Sequence, residues 1–298
     1  LPTSVLAKSA VLPPHSLLGS LVEHAVSSYK HPTGRLLAMA MLVFVFIGSS
    51  TKWREAHRQL AWVLATGLLL HLLVGRYDWF GRYEVYIWVS AFLGLIYLFK
   101  PGFYSLNMSI PVGLGVLLIA GFTLVLAKEH LVILVTTPRG SQDVHEQQYQ
   151  MHRFATEFWR KPVAINDLGQ VAYRNDQYVL DLYGLASLST LRDRQFRTPG
   201  WMAMAVARHD VQLAMLYDNW YRDIPASWRK LGDLVVGHDR VTAASSRVAF
   251  YAVDPTAYKT LRGRLEEFAA TLPGEARFEF SDIDAGLVGG PDGDPILP

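Results

Sequence analysis

The stretch Leu60–Phe99 decides the fold, and it reads LAWVLATGLLLHLLV, then GRYDWFGRYE, then VYIWVSAFLGLIYLF. Two apolar runs enclose a short link, Gly75–Glu84, which holds two arginines, two acidic residues and four aromatic residues. A helix that crosses the hydrocarbon core of a bilayer needs about 20 predominantly apolar residues. Each run approaches that length once its flanks are counted. The sequence therefore predicts two spanning helices joined at a membrane surface.

Apolar segments of this kind occur four times in the first half of the chain, at Leu36–Ser50, Leu60–Gly75, Val85–Phe99 and Ile110–Ala127. Basic side chains beside them can reach the interface and extend the spans. Tyr and Trp residues lie near the segment ends, where membrane proteins carry an aromatic belt. The alternative is one large soluble helical core, but four such segments are too many for one core. We expect an α-helical polytopic membrane domain with about four transmembrane helices.

The composition argues against several classes of function. The formal net charge is only +2 and no Lys/Arg-rich run is present, so we expect no nucleic-acid partner. The chain has no Cys, which removes disulfides, cysteine metal sites and thiol catalysis. The histidines of HEQQYQMH, His145–His152, are seven residues apart, whereas an HExxH zinc helix needs four. We therefore predict no metal site there.

The loop charges leave the orientation open. Thr51–Gln59 carries three Lys/Arg, Arg76–Glu84 carries two and Lys100–Ser109 carries one. Lys30 and Arg35 precede the first span, so positive-inside counting is close to a tie. If Thr51–Gln59 is cytoplasmic, the link GRYDWFGRYE and the whole C-terminal half face outward.

The chain after Pro138 has the character of a small α/β domain. Asp143, with Glu146 three residues later, is typical of a helix N-cap. Asp254 followed by Pro255 predicts the start of another helix that runs to about Thr271. Short β-like runs between turn residues predict strands at Pro162–Asp167, Gln170–Tyr173, Tyr178–Gly184, Val211–Leu216, Arg247–Val253 and Ala276–Phe280.

These patterns predict four regions. An outer loop and an interfacial helix occupy 1–34, the transmembrane helices 35–138, an extracytoplasmic α/β domain 139–285 and a flexible tail 286–298. In the α/β domain, Asp167 and Asp176 lie at predicted turns and Asp181 is expected to face solvent from its strand. We therefore assign these three acids structural roles.

The charges of the link have a chemical interpretation. Arginine binds phosphate through planar, forked hydrogen bonds, and a short link pinned by two helices would hold Arg76 and Arg82 at headgroup depth. Asp78 and Glu84 can pair with these arginines, position them or bind a cation. Ordinary interfacial anchoring, with Arg on lipid phosphate and Tyr and Trp in the belt, explains the same residues without a catalytic role.

Three stretches resemble the GT-C-type glycosyltransferases that use polyprenyl-phosphate sugars, and most closely the bacterial arabinofuranosyltransferase-like branch. LPTSVLAKS, Leu1–Ser9, resembles the LPNTxxAK element, with Thr3 in place of Asn and Ser4 in place of Thr. GRYDWFGRYE is similar to the Arg-Tyr-rich outer loop of these enzymes. Glu146–Ser187 resembles the start of their extracytoplasmic domain and is the most specific of the three. The resemblance covers residues 1–190 in part.

The resemblance implies transfer of a sugar from a polyprenyl phosphate to an extracytoplasmic glycan or lipid acceptor, in the inner (plasma) membrane of a bacterium. Lys8, Arg76 and Arg82 would contact the lipid phosphate, Tyr83 would orient them, and Glu84 would hold an arginine in place, with Asp78 in support. A divalent cation can share the task of steadying the phosphate. The other expected partners are membrane lipids.

The catalytic residue stays unknown. In these enzymes the general base is an Asp or Glu in the first outer loop, which would lie N-terminal to Leu1, so we expect the chain to be the C-terminal part of a longer transferase. Two alternatives remain: a non-catalytic scaffold or glycan-binding module of the same fold, and a transporter. The spans carry few ionisable residues, which disfavours transport, and we expect His71 to be packed or interfacial rather than a proton relay.

Overall fold

The structure is a computed structural model that describes residues 17–77, 82–105 and 110–281. Its internal contacts divide the chain into two compact units, of which one ends at Val135 and the other begins at Thr136. We call them the helical unit and the sheet unit.

The helical unit is built from the first helices of the chain. They are α1 (Leu17–Lys30), α2 (Pro32–Ser49), α3 (Glu55–Val74), α4 (Val85–Ser105) and α5 (Ile110–Glu146), the last of which crosses the boundary between the units. Among the described residues, three helical stretches are long and apolar enough to cross a membrane: Pro32–Ser49, Glu55–Val74 and Gly113–Trp159. Val85–Lys100 is apolar but shorter. The described residues thus contain up to three candidate spans, where the sequence predicts about four.

Small residues bring these helices close together. A methyl group at Gly48 of α2 would lie 2.8 Å from the indole of Trp62 on α3, and one at Gly94 of α4 would collide with the side chain of Leu64. Glycine at such crossings lets helix backbones approach closely, as in membrane proteins.

The outer surface of the helical unit is apolar. Leu42, Val63, Leu117 and Leu124 are 63–71% exposed, while Phe44 of the same unit is fully buried. Soluble monomers rarely expose large contiguous apolar surface. This surface is compatible with a membrane protein.

The sheet unit alternates short helices and strands. After α5 come α6 (Gln148–Arg153), a π-helical turn (Phe154–Trp159), β1 (Val163–Ile165), α7 (Leu168–Ala172), β2 (Val179–Asp181), α8 (Leu188–Gln195), α9 (Trp201–Arg208), β3 (Leu213–Leu216), a 3₁₀ turn (Asp218–Trp220), β4 (Arg229–Val235), β5 (Arg247–Ala252), a 3₁₀ turn (Pro255–Ala257), α10 (Tyr258–Ala269) and β6 (Arg277–Phe280). In the described residues the strands form one mixed sheet of order β2-β1-β3-β5-β4-β6. β1 is parallel to both β2 and β3, and the remaining pairs are antiparallel.

Both faces of the sheet are covered. Ile165 of β1 packs into a core with Phe154 and with Leu265 of α10, whereas the adjacent Ala164 packs into a second core with Trp201 of α9. Successive side chains of a strand point to opposite faces, so the short strand β1 contributes to both cores.

Most predicted strands coincide with observed ones, but the predicted strand Gln170–Tyr173 is wrong. Most of that stretch lies in α7. The reason is topological: β1 and β2 are parallel, and parallel neighbours need a crossover rather than a hairpin. The sequence analysis also missed β4, α8 and α9.

The predicted helix cap at Asp143 is also wrong. α5 continues through Pro138 to Glu146, so Asp143 lies near the end of a helix rather than at its start. Its carboxylate instead accepts hydrogen bonds from the backbone N–H groups of Val241, at 2.7 Å, and Thr242, at 2.6 Å. Its function is tertiary, since it joins the end of α5 to a distant loop.

Asp181 does not face solvent, contrary to expectation. Its side chain is buried, and its carboxylate accepts hydrogen bonds from the backbone N–H groups of Tyr183, Gly184 and Ala186 at 2.7–2.9 Å. Gly184 has a φ of +88°, which a residue with a side chain rarely adopts. Asp181 therefore organises the turn that follows β2.

Candidate functional site

The link singled out in the sequence lies where α3 ends and α4 begins. The N–H of Gly75 donates to the carbonyl of His71 at 2.6 Å and closes the end of α3. The ring of His24, on α1, is hydrogen-bonded to the carbonyl of Gly75. Thus α1 and α3 together fix the first residue of the link.

Histidine and tyrosine side chains pack together around the link. Tyr77 stacks on His31, with 5.1 Å between ring centroids, and meets the ring of His71 edge-on at 5.1 Å. Nδ1 of His71 lies 2.8 Å from the hydroxyl of Tyr86 on α4. We call these four residues the His–Tyr cluster. Burying polar rings is costly unless they are hydrogen-bonded, and the bond between His71 and Tyr86 meets part of that requirement.

Glu84 ends the link with a buried carboxylate. Its carbonyl accepts the N–H groups of Ile87 and Trp88, both at 3.1 Å, and so starts α4. Its side chain is only 3% exposed and lies near Tyr77. Burial raises the pKa of the Tyr77 hydroxyl to about 12, and the charge of Glu84 contributes to the rise. A carboxylate at a helix N-terminus is favoured by the helix dipole.

The two arginines lie near opposite ends of the link. Arg76 follows Gly75 and is partly buried, whereas Arg82 precedes α4 and is exposed. Nη2 of Arg82 donates to the hydroxyl of Tyr83 at 2.7 Å, and the guanidinium carbon lies 4.9 Å from the centre of the Tyr83 ring. Both contacts fix the plane of a group that carries five N–H donors. The orienting role expected of Tyr83 stays a prediction.

The structure places some of the predicted residues together and leaves others undescribed. Arg82, Tyr83 and Glu84 are consecutive and directly precede α4, and Arg76 lies near the other end of the link. Lys8 and Asp78 lie outside the described residues. The proposed support of an arginine by Glu84 stays a prediction.

Sequence analysis missed the contributions of His24, His31, Tyr77 and Tyr86. A usable signal was present, because His71 and Tyr86 each lie within about one helical turn, about 3.6 residues, of the link. Polar rings at adjacent helix ends meet when the helices are antiparallel neighbours. His71 is packed, as expected, but its hydrogen bond to Tyr86 could not be read from spacing alone.

The described part of the site contains no ready-made metal centre. Within the described ranges, no group of three or more His, Asp or Glu residues is placed to hold a metal ion. Asp78 of the link lies outside these ranges, so the divalent cation that the resemblance allows stays a prediction.

An apolar cavity lies in the same unit. It has a volume of about 410 Å³. Its lining is entirely aliphatic and aromatic: Met39, Leu42, Val43, Phe46, Ile47, Phe99 and Leu114. Met39, the first lining residue on α2, lies eight positions after His31. Eight residues span about 12 Å along a helix axis.

Part of the chain resembles a known protein family. Residues 141–251 match a family model described as a domain of unknown function, DUF8728. The match covers just over a third of the chain, begins near the end of α5 and does not include the link. No curated protein matches the chain, and no solved structure matches it.

Proposed function

We propose that this protein is an integral membrane glycosyltransferase of the GT-C type, which moves a sugar from a polyprenyl-phosphate donor to a glycan or lipid acceptor. The observation that carries the proposal is the link between α3 and α4. It holds two arginines, one of them hydrogen-bonded to Tyr83, beside the His–Tyr cluster.

The chemistry explains why arginine suits this position. The acceptor hydroxyl oxygen attacks the anomeric carbon, its proton passes to a general base, and the bond from that carbon to the phosphate oxygen breaks with its electron pair on the phosphate. The donor phosphodiester carries one negative charge and the departing monoester carries up to two. Arg76 and Arg82 would bind the phosphate more strongly as this charge develops, which is what lowers an activation barrier. We assign the general base to no residue of the described chain.

The polyprenyl chain requires apolar surroundings near the phosphate. The apolar cavity of the helical unit supplies a lining of that kind, and it lies further along α2 than the His–Tyr cluster. An isoprenoid chain that enters at the link can run along α2 and reach it.

The orientation belongs to the same proposal. We place the link and the sheet unit on the outer side of the inner (plasma) membrane of a bacterium, where polyprenyl-phosphate sugars are used. The sheet unit includes Glu146–Ser187, which resembles the extracytoplasmic domain of these enzymes, and we propose that it contacts the acceptor.

The decisive experiment measures sugar transfer in membranes that contain the full-length protein. Radiolabelled polyprenyl-phosphate arabinofuranose is supplied first, then the mannose and glucose donors, and incorporation into endogenous acceptor is counted. Arg82→Ala should lower transfer about 100-fold or more, as loss of one transition-state donor does. Arg82→Lys should restore only part of it, because Lys lacks the forked geometry.

Arg54→Ala is the matched control, since Arg54 is an exposed arginine at the opposite end of α3. It should transfer at the wild-type rate at equal expression. Normal transfer by Arg82→Ala would remove the phosphate-binding role of the link. Donor binding by the wild-type protein without any transfer would replace the enzyme by a non-catalytic lipid-phosphate-binding module.

A further inference from the structure

The sheet unit has a second polar region, at the ends of two neighbouring strands. β1 and β3 are parallel and adjacent, so the residues that follow them, Asn166 and Tyr217, meet at one edge of the sheet. The connection from β1 to β2 lies on one face of the sheet, because Val171 of α7 packs into the core on that face. The connection from β2 to β3 lies on the other face, because Met202 of α9 packs into the second core. In open α/β sheets, ligands bind in the crevice beside the strands at which successive connections change from one face of the sheet to the other.

Two buried groups in this region have no hydrogen-bond partner among the described residues. Asn166 is only 3% exposed. Its Oδ1 accepts the N–H of Tyr217 at 3.0 Å, but its Nδ2 has no partner among the described residues. Oε1 of Gln148 is likewise buried and unpartnered within the same ranges. Leaving such groups unsatisfied is unfavourable, so a ligand that reaches them forms hydrogen bonds that the protein alone lacks.

The remaining polar atoms are held in place by one another. Nε2 of Gln148 lies 3.3 Å from the hydroxyl of Tyr217 and 3.4 Å from the carboxylate of Asp167. That hydroxyl donates to Gln147 at 2.7 Å. The side-chain amides and the Asp167 carboxylate therefore form a network with little rotational freedom, and Asp167 is partly open to solvent.

Aromatic side chains lie beside these polar groups. Trp220 is 42% exposed, and its ring lies 5.0 Å from that of Tyr217 and 5.5 Å from that of Tyr183. The guanidinium of Arg194 covers Tyr183 at 3.9 Å. The rings of Tyr217 and Tyr183 thus pack against the exposed indole of Trp220, which offers a large apolar surface.

We propose that these residues, Gln148, Asn166, Asp167, Tyr183, Tyr217 and Trp220, form a saccharide-binding site. A sugar ring offers hydroxyl groups that both donate and accept, which matches the amides of Asn166 and Gln148 and the carboxylate of Asp167. Its apolar C–H face can lie on Trp220. A phosphate would be repelled by Asp167, and a purely apolar ligand would leave Asn166 unsatisfied. The site is separate from the link and needs neither Arg76 nor Arg82.

Binding of neutral oligosaccharides to the full-length protein tests the inference. The protein is prepared in lauryldimethylamine oxide, a detergent without a sugar headgroup, and titrated with xylohexaose, arabinohexaose and cellohexaose. Contact is followed by saturation transfer from aromatic protons to sugar protons in NMR spectra. At least one hexasaccharide should bind, and Trp220→Ala should weaken its binding at least tenfold while Trp220→Phe retains most of it.

Three further variants make the result specific. Asp167→Ala should also weaken binding, and it leaves Gln148 bonded to Tyr217, so it preserves the fold if Trp220→Ala does not. Tyr173→Ala, which removes an exposed aromatic ring elsewhere in the unit, should bind normally. Arg82→Ala should bind normally too, so that loss of sugar transfer and loss of saccharide binding can be distinguished.

The inference fails if no hexasaccharide binds at millimolar concentration. It also fails if Trp220→Ala and Asp167→Ala bind as the wild type does. Binding of AMP with none of the hexasaccharides would overturn it in favour of a nucleotide site, since a base can stack on an indole as well.

Discussion

Nε2 of His238 lies 2.9 Å from Oδ1 of Asp143, although 95 residues separate them in the chain. The other oxygen of Asp143 accepts backbone N–H groups from Val241, Thr242 and Ala243. A single carboxylate thus secures the loop between β4 and β5 to the end of α5. Hydrogen bonds to a charged group are about twice as strong as neutral ones, so this junction should be a rigid part of the sheet unit.

The first prediction concerns the mobility of that loop. Asp143→Asn should weaken the bonds to the three amides, because the charge is lost and one oxygen becomes an NH₂ group that cannot accept. Hydrogen exchange measured by mass spectrometry should become faster in the peptide covering residues 238–246 and stay unchanged in β1. Asp176→Asn, at an exposed site, is the matched control and should leave exchange unaltered. Equal protection in Asp143→Asn and wild type would contradict the structural role.

The same carboxylate predicts a pH dependence of stability. Burial by itself raises the pKa of Asp143, but the N–H groups of Thr242, Val241 and Ala243, together with His238, outweigh it and hold the pKa below its ordinary value. A depressed folded-state pKa contributes stability above the unfolded value, about 4, and this contribution is lost as the pH falls through the folded value.

Thermal unfolding of the wild type and Asp143→Asn should therefore differ most near neutral pH. The difference should begin to shrink near pH 4, where the carboxyl of the unfolded chain takes up a proton, and should be lost once the pH falls below the lower pKa of the folded state. A difference that stays constant down to pH 2 would mean that packing, rather than charge, makes Asp143 important.

The sequence predicted elements that depend on local pattern and missed those that depend on distant partners. Apolar runs located α2 to α5, and turn residues bounded β1, β2, β3, β5 and β6. The run of β4, RKLGDLV, is interrupted by Gly232, which carries a bulge and a φ of +154°, so its alternation is broken. Asp143 looked like a cap because its partners are about a hundred residues away. The residues of the link were identifiable from composition, whereas the His–Tyr cluster needed the helices to be assembled.

A third prediction concerns the buried hydroxyl of Tyr217. It donates to Oε1 of Gln147, which is fully buried. Tyr217→Phe keeps the ring but leaves that acceptor with only the longer bond from Nε2 of Gln148, at 3.3 Å, so it should destabilise the sheet unit by about 1–3 kcal/mol. Chemical denaturation of the purified protein measures the change. Tyr173→Phe, whose hydroxyl lies at an exposed residue, should change stability by less than about 0.5 kcal/mol, and an equal effect of both variants would contradict the assignment.

A fourth prediction concerns topology, and the absence of Cys from the chain makes it simple to test. Lys52 precedes α3, and Tyr178 lies in the sheet unit. If α3, α4 and α5 all cross the membrane, these residues lie on opposite sides. In spheroplasts, a membrane-impermeant maleimide should label Tyr178→Cys directly and Lys52→Cys only after permeabilisation.

Each other labelling pattern has a definite meaning. Labelling of both variants from one side would show that α3, α4 and α5 do not all span, and α4, the shorter apolar helix, is the one that we would then expect not to cross. The reverse pattern would place the link inside the cell and contradict transfer on the outer face.

The last prediction tests how Tyr83 acts. Tyr83→Phe removes the hydroxyl that accepts the Arg82 bond at 2.7 Å but keeps the ring beneath the guanidinium. If Tyr83 only orients Arg82, the variant should lower kcat for sugar transfer about tenfold, less than Arg82→Ala does, with KM for the donor little changed. In an Arg82→Ala background Tyr83→Phe should cost nothing further, because residues that act as one unit are non-additive. Tyr97→Phe, an exposed tyrosine on α4, should be neutral in both backgrounds. Full additivity of Tyr83→Phe and Arg82→Ala would mean that the Tyr83 hydroxyl acts on the substrate directly and not through the arginine.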